Sequence, residues 1–219
     1  MRIGAIADIH GNQPALEAVL ADMPAVDMLV CAGDVVGYNP WPAECVDLLR
    51  DRDVPTVMGN HDRAVAKGTA FQFNELARAG VEFSQERLTD EQITWLQALP
   101  TNQMVCDGAV KIVHGHPADP DRYTYPGEFS EGLLEDESVL ILGHTHVQHI
   151  ETFEQGIVCN PGSVGQPRDG DPRAGYAVID LIDGAAEAHR VAYDIETVVA
   201  KIDEVGLPER LGLRLQDGR

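Results

Sequence analysis

Residues 2–10 read RIGAIADIH, a short apolar run that stops on Asp8 and His10. Later runs end the same way. Residues 28–33 (MLVCAG) stop at Asp34, and 54–59 (VPTVMG) stop at Asn60 and His61. Residues 109–113 (AVKIV) stop at His114, and 139–143 (VLILG) stop at His144 and His146. Apolar, β-rich runs of this length read as buried strands. If they share a sheet and run the same way, their ends converge and bring Asp, Asn and His side chains to one edge. Open α/β sheets hold ligands at the carboxyl ends of their strands. Oxygen and imidazole donors without thiolate suit Mn, Fe, Zn, Co or Ni. The set offers more ligands than one ion needs.

Between the runs the pattern is helical at first. Asn12 is an N-cap candidate for a helix over residues 12–20, with Pro14 in its first turn. A second helix is expected over Ala43 to Arg50. This βαβα rhythm starts a parallel sheet. Residues 63–99 read as mostly helical, with Thr89 and Gln92 as a capping box and Pro100 as the stop. After residue 104 the chain turns to strands. They are expected near 104–105, 109–113, 139–142, 149–153, 157–159, 176–180 and 186–193. Hairpin turns fall at Glu154-Gln155-Gly156 and Asp183-Gly184. A last helix covers Glu196 to Val205. Residues 1–206 are read as one domain, and 207–219 as a loosely held tail. The Pro-, Gly- and acid-rich stretch Pro117 to Ser138 is long enough to be a functional loop.

Composition narrows the class. The chain has 219 residues, with 36 Asp plus Glu against 16 Lys plus Arg and a net charge of −20. Lys occurs only at Lys67, Lys111 and Lys201. An acidic, Lys-poor surface fits life in molar salt, where the Debye length falls to about 3 Å and self-repulsion is screened. The reading is therefore halophilic. The charge argues against duplex nucleic acid, which basic patches bind. No apolar stretch reaches the length of a spanning helix. Asp8 and His10 interrupt the amino-terminal run before a signal-peptide core forms. Cys31, Cys45, Cys106 and Cys159 lie far apart with no CxxC spacing, so neither a disulfide framework nor a zinc cluster is expected. The chain reads as cytoplasmic, and homo-oligomerisation is left open.

The blocks Asp8-Ile9-His10, Gly33-Asp34-Val35-Val36-Gly37, Gly59-Asn60-His61-Asp62, Val113-His114-Gly115-His116 and Gly143-His144-Thr145-His146 occur in that order. Together they resemble the calcineurin-like metallophosphoesterases, in particular the small single-domain prokaryotic phosphodiesterase branch. The resemblance covers roughly residues 1–165, and Asn160-Pro161-Gly162-Ser163 resembles the same branch. It implies an α/β fold of two packed mixed β-sheets flanked by helices, an α/β/β/α sandwich. It implies two divalent metal ions, Mn favoured, with Fe, Ni or Zn as the others. One ion would be held by Asp8, His10, Asp34 and His146, the other by Asp34, Asn60, His114 and His144, with Asp34 bridging. The activity implied is hydrolysis of a small soluble phosphodiester by a water activated between the two metals.

Those residue types suit the chemistry. A pair of ions about 3.5–4 Å apart clamps phosphate oxygens and makes a nucleophile near neutral pH. The resemblance gives His61 the role of phosphate contact and general acid, with Asn60 beside it. Asp62 is a candidate to orient His61, and His116 to line the substrate pocket. Arg168 and Arg173 either clamp phosphate or pair with Asp169 and Asp171, and pairing is the favoured reading. The pocket walls are expected from residues 38–41 and 117–131, where Tyr38, Trp41, Tyr123 and Tyr125 can stack on a ring. Phosphomonoesterase and dinucleoside-polyphosphate hydrolase are alternatives on the same metal pair. A non-catalytic scaffold of this fold, like the retromer subunit, is the alternative of another class. That subunit departs from the pattern at the acid histidine, which this chain retains as His61.

Overall fold

The computed structural model describes residues 1–70 and 73–219. Its elements run β1 (Arg2–Ile6), α1 (Gln13–Asp22), β2 (Met28–Cys31), α2 (Pro42–Arg50), α3 (Asn60–Lys67), α4 (Glu75–Arg87) and α5 (Asp90–Ala98). There follow β3 (Asn102–Val105), β4 (Val110–Val113), β5 (Val139–Ile141), β6 (His149–Thr152) and β7 (Ile157–Asn160). The chain closes with β8 (Ala174–Asp180), β9 (Ala185–Val191), α6 (Ile195–Glu204) and α7 (Glu209–Asp217). The expected mostly helical stretch 63–99 includes residues 71 and 72, which lie outside the described residues. Among the described residues, no helix is long and apolar enough to cross a membrane.

Two mixed sheets pack face to face. One has the order β2-β1-β8-β9, the other β3-β4-β5-β7-β6. β1 and β2 are parallel, as are β4, β5 and β7. Alternation along β1 sorts its side chains. Ile3, Ala5 and Ala7 turn into the layer between the sheets, where they meet Val30, Ile112, Ile141 and Ile179. Ile6 turns outward with Leu16, Val19, Leu49 and Leu96 of the helices. Burying such a residue contributes about 1.5–3 kcal/mol, so this pattern fixes the register. The outer face of the second sheet packs Leu140, Leu142 and Val158 under Phe129, Leu133 and Leu134.

Most boundaries follow local chemistry. The Asn12 side chain accepts from the Ala15 amide and caps α1, and Thr89 with Gln92 forms the capping box of α5. Both expected hairpins form, β6 against β7 and β8 against β9.

The expectations fail in particular places. The five ligand-ending runs do not share one sheet, because β1 and β2 belong to the first and β4 and β5 to the second. Residues 54–59 are not a strand; they make a single parallel bridge between Cys31 and Thr56. Pro55 has no amide hydrogen for a ladder, and the Met58 amide turns to the Pro100 carbonyl at 2.7 Å. The segment from Leu207 is not loosely held. It forms α7, whose Leu211 and Leu215 are buried with Val198 and Ile202 of α6.

Candidate metal centre

The carboxyl ends of both sheets open onto one place, and backbone bonds lace them together. Asp8 donates its amide to the Gly33 carbonyl, and His10 donates to the Asp34 carbonyl, both at 2.9 Å. The Gly143 amide reaches the His114 carbonyl at 2.8 Å, which ties β4 to the loop after β5. Leaving a strand and turning a side chain inward within one residue requires a sharp reversal. Asp8, His10, Asp34, His144 and His146 make it with φ of 53°, 50°, 54°, 69° and 58°. Asp and His tolerate this left-handed region better than most residues, at about 1–3 kcal/mol each.

Three groups result in which donor atoms lie within 4.8 Å of one another: Asp8, His10 and His146; His10, Asp34 and His61; Asp34, His114 and His144. All seven of these side chains are buried. Backbone carbonyls set the tautomers. His10 Nδ1 donates to Val36 O at 3.0 Å, His114 Nδ1 to Ala32 O at 2.8 Å, and His146 Nδ1 to Gln166 O at 2.5 Å. The Nε2 atoms of all three turn into the cluster, and on His10 and His146, which burial keeps neutral, they are lone-pair acceptors. His144 is reversed: its Nε2 meets Asp121 O at 3.2 Å, which leaves Nδ1 as its free nitrogen.

The acceptors then face each other. His10 Nε2 and His146 Nε2 stand 3.0 Å apart, with Asp34 Oδ2 3.6 Å from the first and Asp8 Oδ1 3.5 Å from the second. His114 Nε2 stands 3.1 Å from Asn60 Oδ1 and 3.4 Å from Asp34 Oδ2. Lone pairs converging without hydrogens between them call for cations, so the donor set fits divalent metal ions. Asp34 turns Oδ2 to both halves, while its Oδ1 accepts the His61 amide at 2.8 Å.

Electrostatics divide the cluster. Burial holds His10 and His146 well below the usual histidine range. Burial also pushes His61 and His144 down to about 4. His114 goes the other way. Burial opposes its charge, but the Asp34 and Asp8 carboxylates lift it to about 10. Asp8 is pushed up to about 8, by burial first and by the Asp34 charge.

The remaining expected site residues divide. His61 lies at the start of α3, its ring 4.6 Å from Tyr38, 4.6 Å from Phe73 and 4.8 Å from His10. A Cβ on Gly37 would stand 2.5 Å from His61 Nδ1, and Gly37 itself has φ +93°, so only glycine fits beside this ring. Asp62 does not orient His61. Its carboxylate accepts the amides of Asp34 and Gly59 at Oδ2, and those of Val35 and Val36 at Oδ1. It is a positioning residue for the Asp34 loop. His116 is not in the cavity: its Nδ1 accepts the Ala118 amide and its backbone closes the turn to Asp119 and Arg122. Arg173 pairs with Asp171, as favoured, whereas Arg168 pairs with neither Asp169 nor Asp171 and turns into the cavity.

That cavity, about 670 Å³, opens over Asp34, Asn60, His61, His144 and His146. Only the first part of the 117–131 wall reaches it, through Asp121 and Tyr123; Phe129 covers the second sheet instead. Tyr38 lines it, whereas Trp41 packs into the core of α6 and α7. Tyr123 stacks on His144 with ring centres 3.9 Å apart. Sequence reasoning missed Arg63, Lys67 and Arg214. The first two sit four residues apart on the helix that begins with Asn60, a spacing that places them on one face. The loop of residues 160–166 proves structural: Ser163 Oγ donates to the Asp8 carbonyl, and Asn160 Nδ2 donates to the Gly143 carbonyl.

The family model of the calcineurin-like phosphoesterase superfamily domain matches residues 1–184. An uncharacterized protein of Methanocaldococcus jannaschii is 34% identical, covering 99% of this chain and 98% of its own length. The phosphodiesterase YfcE of Escherichia coli is 28% identical over 82% of this chain and 88% of its own. The crystal structure of a metallophosphoesterase from Sphaerobacter thermophilus superposes with a TM-score of 0.85 at 36% identity, covering 100% of this chain and 99% of that one.

Proposed function

The chain belongs to the calcineurin-like phosphoesterase superfamily and is a phosphoric ester hydrolase, and from that premise we propose that it cleaves a small soluble phosphodiester at a pair of divalent metal ions. The observation that carries the reading is the convergence of donor groups, with two imidazole Nε2 atoms 3.0 Å apart beside the Asp34 carboxylate, which both halves of the cluster share. Asp8, His10, Asp34 and His146 would hold one ion, and Asp34, Asn60, His114 and His144 would hold the other. Mn is the favoured ion, with Fe, Ni or Zn as the others. Bound there, the ions supply Lewis acidity at the phosphate and make water a nucleophile near neutral pH. The resemblance to a phosphodiesterase supports a diester as substrate.

The chain's own residues do the rest. Asp34 holds the two halves in register through Oδ2 and holds the His61 backbone through Oδ1. Asp62 fixes the Asp34 loop through four amides. His61 contacts the phosphate and protonates the leaving oxygen. Burial keeps its ring neutral in the free protein, and an arriving phosphate anion raises its proton affinity. The acidic surface and unpaired cysteines support a cytoplasmic protein of a salt-rich cell.

The test is hydrolysis of bis-p-nitrophenyl phosphate beside p-nitrophenyl phosphate in high salt, after metal stripping and return of Mn, Ni or Zn. Metal-dependent release from the diester is expected. Release mainly from the monoester would make the protein a phosphomonoesterase. Silence on both, with diadenosine tetraphosphate cleaved, would make it a dinucleoside-polyphosphate hydrolase. Silence on all three with metal bound would return the scaffold reading.

A further inference from the structure

Arg168 lines the cavity beside Asp34, His61 and His146, and the reaction above gives it no task. The acids next to it in the chain are engaged elsewhere. Asp169 takes Arg190 and the Gln148 amide, and Asp171 takes Arg173. Arg63, in the same cavity, is neutralised by Asp121. Among the described residues, the half-buried Arg168 side chain bonds to neutral side-chain oxygens. Its Nε and Nη2 donate to Gln166 Oε1 at 3.2 and 2.7 Å, and Nη2 also donates to the Tyr38 hydroxyl at 3.3 Å. A guanidinium carries five N–H donors, so these bonds leave the two on Nη1. Nη1 has no partner among the described residues, and it is not sealed from solvent.

Both anchors are tied to the metal ligands. Gln166 is fully buried, and its carbonyl accepts His146 Nδ1 at 2.5 Å. Its amide donates to Ser163 Oγ at 2.7 Å, and that hydroxyl donates to the Asp8 carbonyl at 2.7 Å. The Arg168 amide itself donates to the His146 carbonyl at 3.1 Å. Tyr38 is nearly fully buried, with its ring centre 4.7 Å from that of His10 and 4.6 Å from that of His61. Arg168 Cζ stands 5.6 Å from the Tyr38 ring centre. A Cβ on Gly80 of α4 would come within 2.1 Å of the Tyr38 amide nitrogen, so α4 holds the Tyr38 loop in place. The guanidinium is thus ordered before any ligand arrives, which lowers the entropy lost on binding. A cation drawn partly out of water beside neutral oxygens is stabilised by an arriving anion, and phosphate suits guanidinium donors.

We infer that Arg168 binds the phosphate group that is cleaved, donating from Nη1 to a non-bridging oxygen, and that Gln166 and Tyr38 aim it. The inference rests on the phosphoesterase reading and adds to it a contact from the chain besides His61. Gln166 and Tyr38 are then positioning residues, because each acts through Arg168.

The probe is inorganic phosphate, titrated by calorimetry into the Mn-loaded protein, with Mn content measured alongside. Arg168→Gln should weaken phosphate about 10–100-fold, the size of one charge-assisted hydrogen bond, at native Mn content. Arg168→Lys keeps the charge but offers one nitrogen in place of three, so its affinity should fall between the two. The KM for bis-p-nitrophenyl phosphate should rise in the same order. Native phosphate affinity in either variant would overturn the contact, as would a native protein that binds no phosphate. So would a loss of affinity matched by a loss of Mn, which would make Arg168 a brace for the loop behind His146. If the native protein cleaves no diester while phosphate affinity falls in the expected order, the diesterase reading fails and the contact stands. If the diester is cleaved and Arg168→Gln keeps the native KM and phosphate affinity, the contact fails and the diesterase reading stands.

Discussion

The deep half of the metal centre (Asp8, His10, His146) and the outer half (Asn60, His114, His144) use the same donor chemistry in different settings. All three deep ligands sit in left-handed backbone, whereas only His144 does among the outer three. The deep ligands are sealed by the loop of residues 160–166. Of the outer residues Asn60 and His144 border the cavity, which His146 alone of the deep three also reaches, and His144 lies under the half-exposed Tyr123 with its Nε2 on Asp121. Backbone strain therefore concentrates in the deep half, and access to the cavity is greater in the outer one.

The largest effect should come from erasing the distinction. Asp34→Ala removes the shared oxygen, so both ions and all turnover above background should be lost, as read by metal analysis and diester hydrolysis. His61→Ala leaves both ligand sets whole, so metal content should stay at the native value while turnover falls about 10²–10⁴-fold. Native turnover in that variant would remove the acid role.

Smaller changes separate the halves. Tyr123→Ala uncovers His144 alone, so metal titration should show one ion weakened about 10–100-fold and the other unmoved; equal weakening of both would break the comparison. Stripping metal leaves the converging acceptors of both halves unscreened. An ion held at about a hundredfold above its Kd contributes about 2.7 kcal/mol, so chelation should lower Tm by roughly 5–10 °C. The smallest effect is acid sensitivity of the metal-free protein. His144 is held down to about 4 against an ordinary 6.5, while His10 and His146 lie well below that range. At these histidines the unfolded chain binds protons first, so the stability they contribute above pH 6.5 is lost as pH falls towards 4, while the raised Asp8 carboxyl contributes with the opposite sign. Urea midpoints taken from pH 7 to 4 should fall, and His144→Gln should flatten the slope.

How much of this was legible in the sequence differs between ligands and walls. Asp8, His10, Asp34, His114, His144 and His146 each follow a short apolar run, so local pattern alone marks them. The strand at 54–59 was misread because its hydrophobicity is right while Pro55 denies it a ladder, yet Asn60 and His61 still arrive at the site at the start of α3. Asp62 looked like a partner for its neighbour His61, but its carboxylate reaches back to backbone amides of the 33–37 loop, a contact that sequence proximity conceals. Arg214 carried no signal of its own. The spacing of Leu207, Leu211 and Leu215 does mark an apolar helix face, hidden in an Arg-rich tail.

The left-handed turns at Asp8, His10, Asp34, His144 and His146 also bear on which mutants this protein can survive. A β-branched side chain is a severe outlier in that conformation, while glycine and asparagine are at home. A saturation library at these positions should therefore show two sieves. A screen for folded protein should keep Gly and Asn and discard Val, Ile and Thr. A screen for turnover should then discard Gly as well. Backbone shape and metal chemistry favour overlapping alphabets here, and only the gap between the two screens belongs to catalysis.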